Sequence, residues 1–251
     1  MNGLPDALRI HTFLLPKRGS LPSECEDAIA INKARTVFAI ADGATEAYDS
    51  RSWARLFIRS WIRIDPTAFE IEDFEPLSLD LGRRLHRKWS RRKLPWYAEE
   101  KSQFGSFLAF LGLQFHLVDN SLQWRAIALG DCCLIHRNGT LVCDTFPLTR
   151  SEEFGSNPIL LPSIHSKLRR ALDHIRQMAG TASSGHDFLL LSDAVASWFL
   201  KQREEGSDEL QVFDKLTDSD DTDGLTDFFE GLRNQDKIKN DDIAVIRIVI
   251  V

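Results

Sequence analysis

Four aspartates stand where hydrophobic runs begin or end. Asp27 directly precedes AIAIN (28–32), Asp42 follows TVFAIA (36–41), Asp193 follows FLLLS (188–192), and Asp241 stands at the entrance to IAVIRIVIV (243–251). A carboxylate at a strand terminus is held by a rigid sheet and still reaches a solvent-accessible rim. Oxygen-preferring divalent cations need such groups, because several carboxylates must converge without being buried unpaired. Gly43, next to Asp42, has no side chain to keep the backbone away from a ligand. Taken singly, each aspartate reads as a turn or strand-end residue. Taken as an ordered set, they point to a metal centre.

Other chemistries find less support. Neither a nucleophile elbow nor a cysteine-phosphatase loop is present. Cys132 and Cys133 fall in a strand pattern and read as small core residues. No pair among Cys25, Cys132, Cys133 and Cys143 has the spacing of a zinc knuckle, and a disulfide framework is not expected at this density. The run DSDDTDG at 218–224 fails as a calcium loop: its glycine is one place late, and position twelve from Asp218 is Phe229. It reads as a helix-start or loop segment, with Asp223 capping a helix that begins near Leu225. His165, His174 and His186 share no ligand spacing. Trp53, Trp61, Trp89 and Trp198 fall on helical stripes and read as core or edge residues.

The elements that must position the aspartates follow from periodicity. Residues 28–32 and 36–41 are β-prone runs joined by a Lys33-Ala34-Arg35 turn, a hairpin. From Asp49 the period changes: Trp53, Leu56, Phe57, Trp61 and Ile64 mark one helical face, and Arg51, Arg55, Arg59 and Arg63 another. Leu77, Leu81, Leu85 and Trp89 predict a second helix over 77–92, stopped before Pro95. Strands are expected at 106–117 and 122–129, turned at Asp119-Asn120, and at 132–136 and 140–144. The last two flank Asn138-Gly139, which suits a two-residue type I′ turn. Leu168, Leu172 and Ile175 predict a helix with Gly180 as its C-cap. After a strand at 187–192 come short helices near 208–216 and 224–233, then a core strand at 243–251. The residues themselves indicate one domain of mixed α and β structure spanning 1–251. The irregular segment 147–185 is expected to form a lid or flap beside the site.

With these motifs in order, the sequence resembles the metal-dependent protein phosphatases of the protein phosphatase 2C type. The resemblance rests on Glu26-Asp27, FAIADG (38–43), GSFLAF (105–110), ALGDC (128–132), FLLLSD (188–193) and DDIAVI (241–246), which together cover nearly the whole chain. It implies an α+β fold, a four-layer α/β/β/α sandwich of two antiparallel sheets flanked by helices. It also implies two manganese or magnesium ions and a serine/threonine phosphatase that hydrolyses phosphoprotein monoesters through a metal-bridging water. Carried over by position, Asp27, Asp42, Asp193 and Asp241 are the catalytic metal ligands, Asp42 bridging and Gly43 lending its carbonyl. Asp131 matches a residue that holds a third ion in some members. Glu26 orients ligands or metal-bound water. Arg18, with Lys17 beside it, is nearest the position of the phosphate-binding arginine. The chain departs from the family in three places: Ala44 replaces a common His after Asp-Gly, Ala194 replaces Gly, and Asp242 replaces Asn.

Composition bounds the function. With 251 residues, 43% hydrophobic and 27% charged, the chain has the mix of a globular protein. A formal charge of -6 argues against nucleic acid as the main partner. No apolar stretch is long enough to span a bilayer, and the N-terminus lacks the positively charged lead of a secretion signal, so a cytoplasmic location is expected. The basic run from Arg83 to Lys93 and the acidic stretch from Glu204 to Asp227 read as solvated surface. Two other functions fit less well. A phosphatase-like regulatory protein that binds a partner without turnover fits the three departures. A metal-dependent nuclease is disfavoured by the acidic balance.

Overall fold

The computed structural model describes residues 4–65, 71–91, 93, 95–155, 157–216 and 222–251. In chain order the strands are β1 (Leu8–Leu15), β2 (Ala28–Asn32), β3 (Val37–Gly43), β4 (Phe107–Val118), β5 (Ser121–Leu129), β6 (Cys133–Asn138), β7 (Leu141–Phe146), β8 (Leu161–Pro162), β9 (Arg176–Ala182), β10 (His186–Leu191) and β11 (Ile243–Ile250). The helices are α1 (Ser50–Trp61), α2 (Phe74–Ser90), α3 (Trp96–Gln103), α4 (His165–Leu172), α5 (Asp193–Glu204) and α6 (Thr222–Asn234).

Two antiparallel sheets result. One runs β1-β11-β10-β6-β7, the other β2-β3-β4-β5-β9, with the short β8 added beside β4. Apolar side chains fill three layers. Phe38, Leu111, Phe115, Phe188 and Ile246 pack between the sheets. Trp53, Phe57, Trp61 and Phe74 bury α1 and α2 on the outer face of the second sheet. Val195, Phe199 and Phe229 bury α5 and α6 on the outer face of the first. The fold is therefore the expected four-layer α/β/β/α sandwich. Among the described residues no helix is long and apolar enough to cross a membrane.

Several local expectations are corrected. Asn138 pairs with Leu141, so the β6–β7 loop is Gly139-Thr140, one residue later than expected. Only Gly139 (φ +59°) has positive φ there, which excludes type I′. The left-handed pair sits instead at Asp119 (φ 49°) and Asn120 (φ 62°), between β4 and β5. Gly180 is not a C-cap. The helix ends at Leu172, and Gly180 lies in β9 opposite Trp124, where an added Cβ would stand 2.8 Å from the indole. The segment expected as a helix near 208–216 is a 3-10 helix, Asp208–Lys215. Helix α6 begins at Thr222, so Asp223 lies within its first turn rather than before it. The remainder of the acidic run, 218–221, lies outside the described residues, as does Arg92 of the basic run.

Five elements had no counterpart in the periodicity: β1, α3, β8, β9 and α5. Helix α5 buries Ala194, Val195, Ala196, Trp198, Phe199, Leu200 and Gln202. A helix covered on most sides has no polar face and so no readable period.

Candidate metal centre

The sandwich brings one end of six strands to a common rim. Asp27 precedes β2, Asp42 and Gly43 end β3, Asp131 lies between β5 and β6, Asp193 follows β10 by two residues, and Asp241 precedes β11. Antiparallel pairing places the start of β2 beside the end of β3, Ala28 opposite Ala41. Likewise the start of β11 lies beside the end of β10, Val245 opposite Leu191. Asp131 reaches the same rim through Gly130. That residue has φ +102°, and a Cβ on it would meet Ala109 at 2.7 Å, so only glycine fits.

The electrostatics show how closely these groups converge. Burial, and then the charges of Asp27, Asp193, Asp131 and Asp241, push the Asp42 carboxyl well above its usual range. Asp27 is only 1% exposed. Burial raises its pKa most; a hydrogen bond from Ser192 opposes this, while Asp193, Asp242 and Asp241 add to it. Its Oδ2 is buried without a hydrogen-bond partner. Asp131 is pushed up to about 7, by burial first and by Asp193 next. Asp193 is raised by burial, with Lys239 acting against the shift. Buried like charges of this kind are neutralised by taking up protons or by a bound cation.

Lys239, which sequence reasoning missed, supplies part of that compensation. Its Nζ lies 2.5 Å from Asp241 Oδ2 and 3.4 Å from Asp193 Oδ2. Among the described residues no group of three or more His, Cys, Asp or Glu side chains is arranged to hold a metal ion as it stands. An all-oxygen donor set with an orphaned carboxylate oxygen nevertheless has the chemistry that magnesium or manganese prefers.

The neighbouring residues are tied down individually. Glu26 Oε1 accepts the Ser50 hydroxyl (2.6 Å), and its Oε2 accepts Thr45 Oγ1 (2.7 Å) and Lys17 Nζ (3.2 Å). For Lys17, burial works against the charge, but Glu26, Asp242 and Asp241 outweigh it and raise the pKa. Arg18 points elsewhere: its Nη2 lies 2.5 Å from Glu230 Oε2 on α6. Lys17 is thus the cation that faces the carboxylates from this loop. Asp242, buried at 3% exposure, accepts the Lys17 and Glu26 backbone N–H groups, each at 2.7 Å. This clamps the 17–26 loop onto the start of β11. Gly43 serves packing on its side-chain side, since a Cβ there would stand 2.9 Å from the Ser50 backbone. Ala194 is tolerated because its backbone is not left-handed and lies in the first turn of α5. Cys132 and Cys133 are fully buried, and burial raises both thiols, so neither is a nucleophile.

Beside Asp131 a cavity of about 450 Å³ is bordered by Gly130, Leu148, Ile159, His174 and Arg176. Most of these residues come from the segment 147–185, whose later part forms α4 and the edge strand β9.

The sequence matches no family model and no curated protein. The fold does have solved counterparts. The serine/threonine phosphatase Stp1 from Staphylococcus aureus superposes with a TM-score of 0.64 at 13% identity, over 97% of this chain and 95% of that one. The catalytic domain of the serine/threonine protein phosphatase PstP, in complex with two manganese ions, gives 0.57 at 14% identity, over 97% and 98%. PppA, a key regulatory component of T6SS in Pseudomonas aeruginosa, gives 0.60 at 16% identity, over 97% and 98%. At these identities the likeness is one of fold.

Proposed function

We propose that the chain is a manganese- or magnesium-dependent serine/threonine phosphatase that hydrolyses phosphoprotein monoesters. One observation carries this reading: carboxylates from distant parts of the sequence meet at a single rim, where Asp27, Asp42, Asp131 and Asp193 are buried within reach of one another's charge and of that of Asp241. Their order along the chain, and a fold shared with serine/threonine phosphatases, support it.

Asp27, Asp42, Asp193 and Asp241, with the Gly43 carbonyl, would hold two ions, and Asp131 with Asp193 a third. Bound there, such ions lower the pKa of water and offset charge on phosphoryl oxygens. The chain's own residues do the rest. Glu26, fixed by Ser50 and Thr45, orients the ligand shell. Lys17 Nζ, held by Glu26, takes the phosphate-facing role that position alone would give to Arg18. Leu148 and Ile159 give the 147–185 segment an apolar edge beside Asp131, which suits a lid that limits water around the phosphorus.

A second reading, a phosphatase-like regulatory binding protein, has one observation in its favour. The Lys239 ammonium bridges Asp193 and Asp241, where a metal cation would sit. The test is hydrolysis of a phosphopeptide, a small aryl phosphate and DNA by the purified chain, with manganese or magnesium and with chelator. Metal-dependent turnover of the phosphopeptide that Asp42→Asn lowers by at least about 10²-fold supports the phosphatase. A folded chain with no turnover supports the regulator.

A further inference from the structure

Helices α1 and α2 enclose a groove of about 600 Å³ whose lining is strongly cationic: Arg51, Arg55 and Arg59 from α1, Arg84 and Lys88 from α2. The basic run on α2 by itself resembles an ordinary solvated face, but packing sets it opposite the arginine row of α1. Asp49 is the one carboxylate in the lining, and its Oδ2 accepts the Trp89 indole N–H at 2.9 Å. Lys88 Nζ lies 3.3 Å from Ser52 Oγ, and Arg84 pairs with Asp80 at 2.7 Å. Arg51, Arg55 and Arg59 have no carboxylate partner among the described residues. In a chain of net charge -6 this is a local reversal of sign. Burial, and then the charges of Arg51 and Arg59, lower the Arg55 pKa. Three arginines in a row without carboxylate partners of their own make a site for an external anion.

The spacing narrows what that anion is. Residues four apart on an α-helix advance about 6 Å, and alternate side chains of an extended peptide advance about 6.6 Å. Arg51, Arg55 and Arg59 therefore match acidic side chains at alternate positions over about 12 Å. The Arg51 end of the row lies toward the carboxylate rim, because Ser50, the first residue of α1, donates its hydroxyl to Glu26 at 2.6 Å. A nucleic acid would carry its negative charge on past the groove into Asp27 and Asp42. A short acidic segment ending at a phosphoresidue would not.

We infer that the α1–α2 groove docks an acidic segment of the phosphoprotein substrate, with Asp, Glu or further phosphoresidues at alternate positions of an extended stretch. The phosphoresidue being hydrolysed lies at the carboxylate rim, so the inference rests on the phosphatase reading.

Binding and turnover are measured separately. A fluorescent peptide with Glu at alternate positions and no phosphate is titrated by anisotropy against the full chain and against the triple variant Arg51→Gln, Arg55→Gln, Arg59→Gln. The matching Gln peptide is the control. Binding of the Glu peptide is expected to weaken about tenfold or more in the variant and to weaken with added salt. The variant's kcat/KM for a phosphopeptide with that flank falls in parallel, while turnover of a small aryl phosphate is unchanged. Arg84→Gln, Lys88→Gln, on the exposed face of α2, shifts both readouts in the same direction, and circular dichroism verifies that each variant is folded. Selective binding without any turnover upholds the docking site and overturns the phosphatase reading. Turnover with no discrimination between Glu and Gln peptides overturns the docking site. Tighter binding of a short DNA duplex, or of phosphatidylserine vesicles, through the same arginines also overturns it.

Discussion

Asp242 illustrates how much a single oxygen decides. The family-like position calls for Asn, but here both carboxylate oxygens accept a backbone N–H, from Lys17 and from Glu26. An asparagine has one acceptor oxygen, and its amide N–H₂ would face the other donor. Asp242→Asn is therefore expected to cost about 1–3 kcal/mol, read as a lowered urea midpoint at unchanged m-value. Asp42 works in the opposite sense. Its carboxyl is held among Asp27, Asp193, Asp131 and Asp241, so removing its charge relieves repulsion. In chelator, Asp42→Asn is expected to melt higher than the parent chain, by about 2–4 °C for each kcal/mol recovered. Added manganese should raise the parent's Tm and leave the variant's nearly unchanged. An Asp42→Asn variant that melts lower in chelator would mean that the carboxylate is stabilising where it stands. The strand-end context of Asp27, Asp42, Asp193 and Asp241 was readable from the chain. The partners of Lys239, Lys17 and Arg18 were not, because which cation meets which carboxylate depends on how the loops fold, and Arg18 with Glu230 and Lys239 with Asp193 meet from far apart in sequence.

At the scale of elements, two glycines in the second sheet each accommodate a tryptophan. A Cβ on Gly112 of β4 would stand 2.6 Å from the Trp61 indole, and one on Gly180 of β9 would stand 2.8 Å from that of Trp124. Trp61 belongs to the helix that begins beside Gly43, so its seat on β4 also fixes how α1 leaves the rim. Gly112→Ala is expected to cost about 1–3 kcal/mol through overpacking, detectable by denaturant unfolding and by faster amide exchange in α1. Unchanged exchange there would mean that the indole simply moves aside. Helix α1 was legible because its apolar stripe and arginine row alternate cleanly. Helix α5 was not, since burial on most sides erases the contrast that makes a period. Gly180 misled for a related reason: a glycine that makes room for a ring looks the same in sequence as one that ends a helix.

For the molecule as a whole, the first sheet depends on a long-range pairing. Strand β1, near one end of the chain, pairs along its length with β11 at the other, from Leu8 opposite Ile250 to Leu15 opposite Ile243. This pairing brings Lys17 and Asp242 together at the rim. At the far end of β6 and β10, His136 bonds Asp144 through Nδ1 (2.9 Å) and His186 through Nε2 (2.7 Å), and stacks on Phe188. Burial, and then the charge of His136, lower the His186 pKa below its usual value. The unfolded chain thus takes up that proton first as pH falls. Relative to His186→Gln, the parent chain is expected to lose stability progressively below about pH 6.5, and to show no such trend between about pH 7.5 and 8.5. Urea midpoints across that range test this, and parallel curves for the two proteins would exclude the linkage.

The sequence by itself marked the strand-end carboxylates and one domain of mixed α and β structure, because strand ends and the 2- and 3.6-residue periods are local properties; the four-layer arrangement came only as what the family resemblance implied. Tertiary structure decided what depends on closure. It brought the carboxylates close enough to shift one another's pKa, gave Lys239 to Asp193 and Asp241, and turned Arg18 away to α6. It also set the arginines of α1 against the basic face of α2. Charge–charge energies depend on distance and burial, and neither is written in the chain until the sheets have formed.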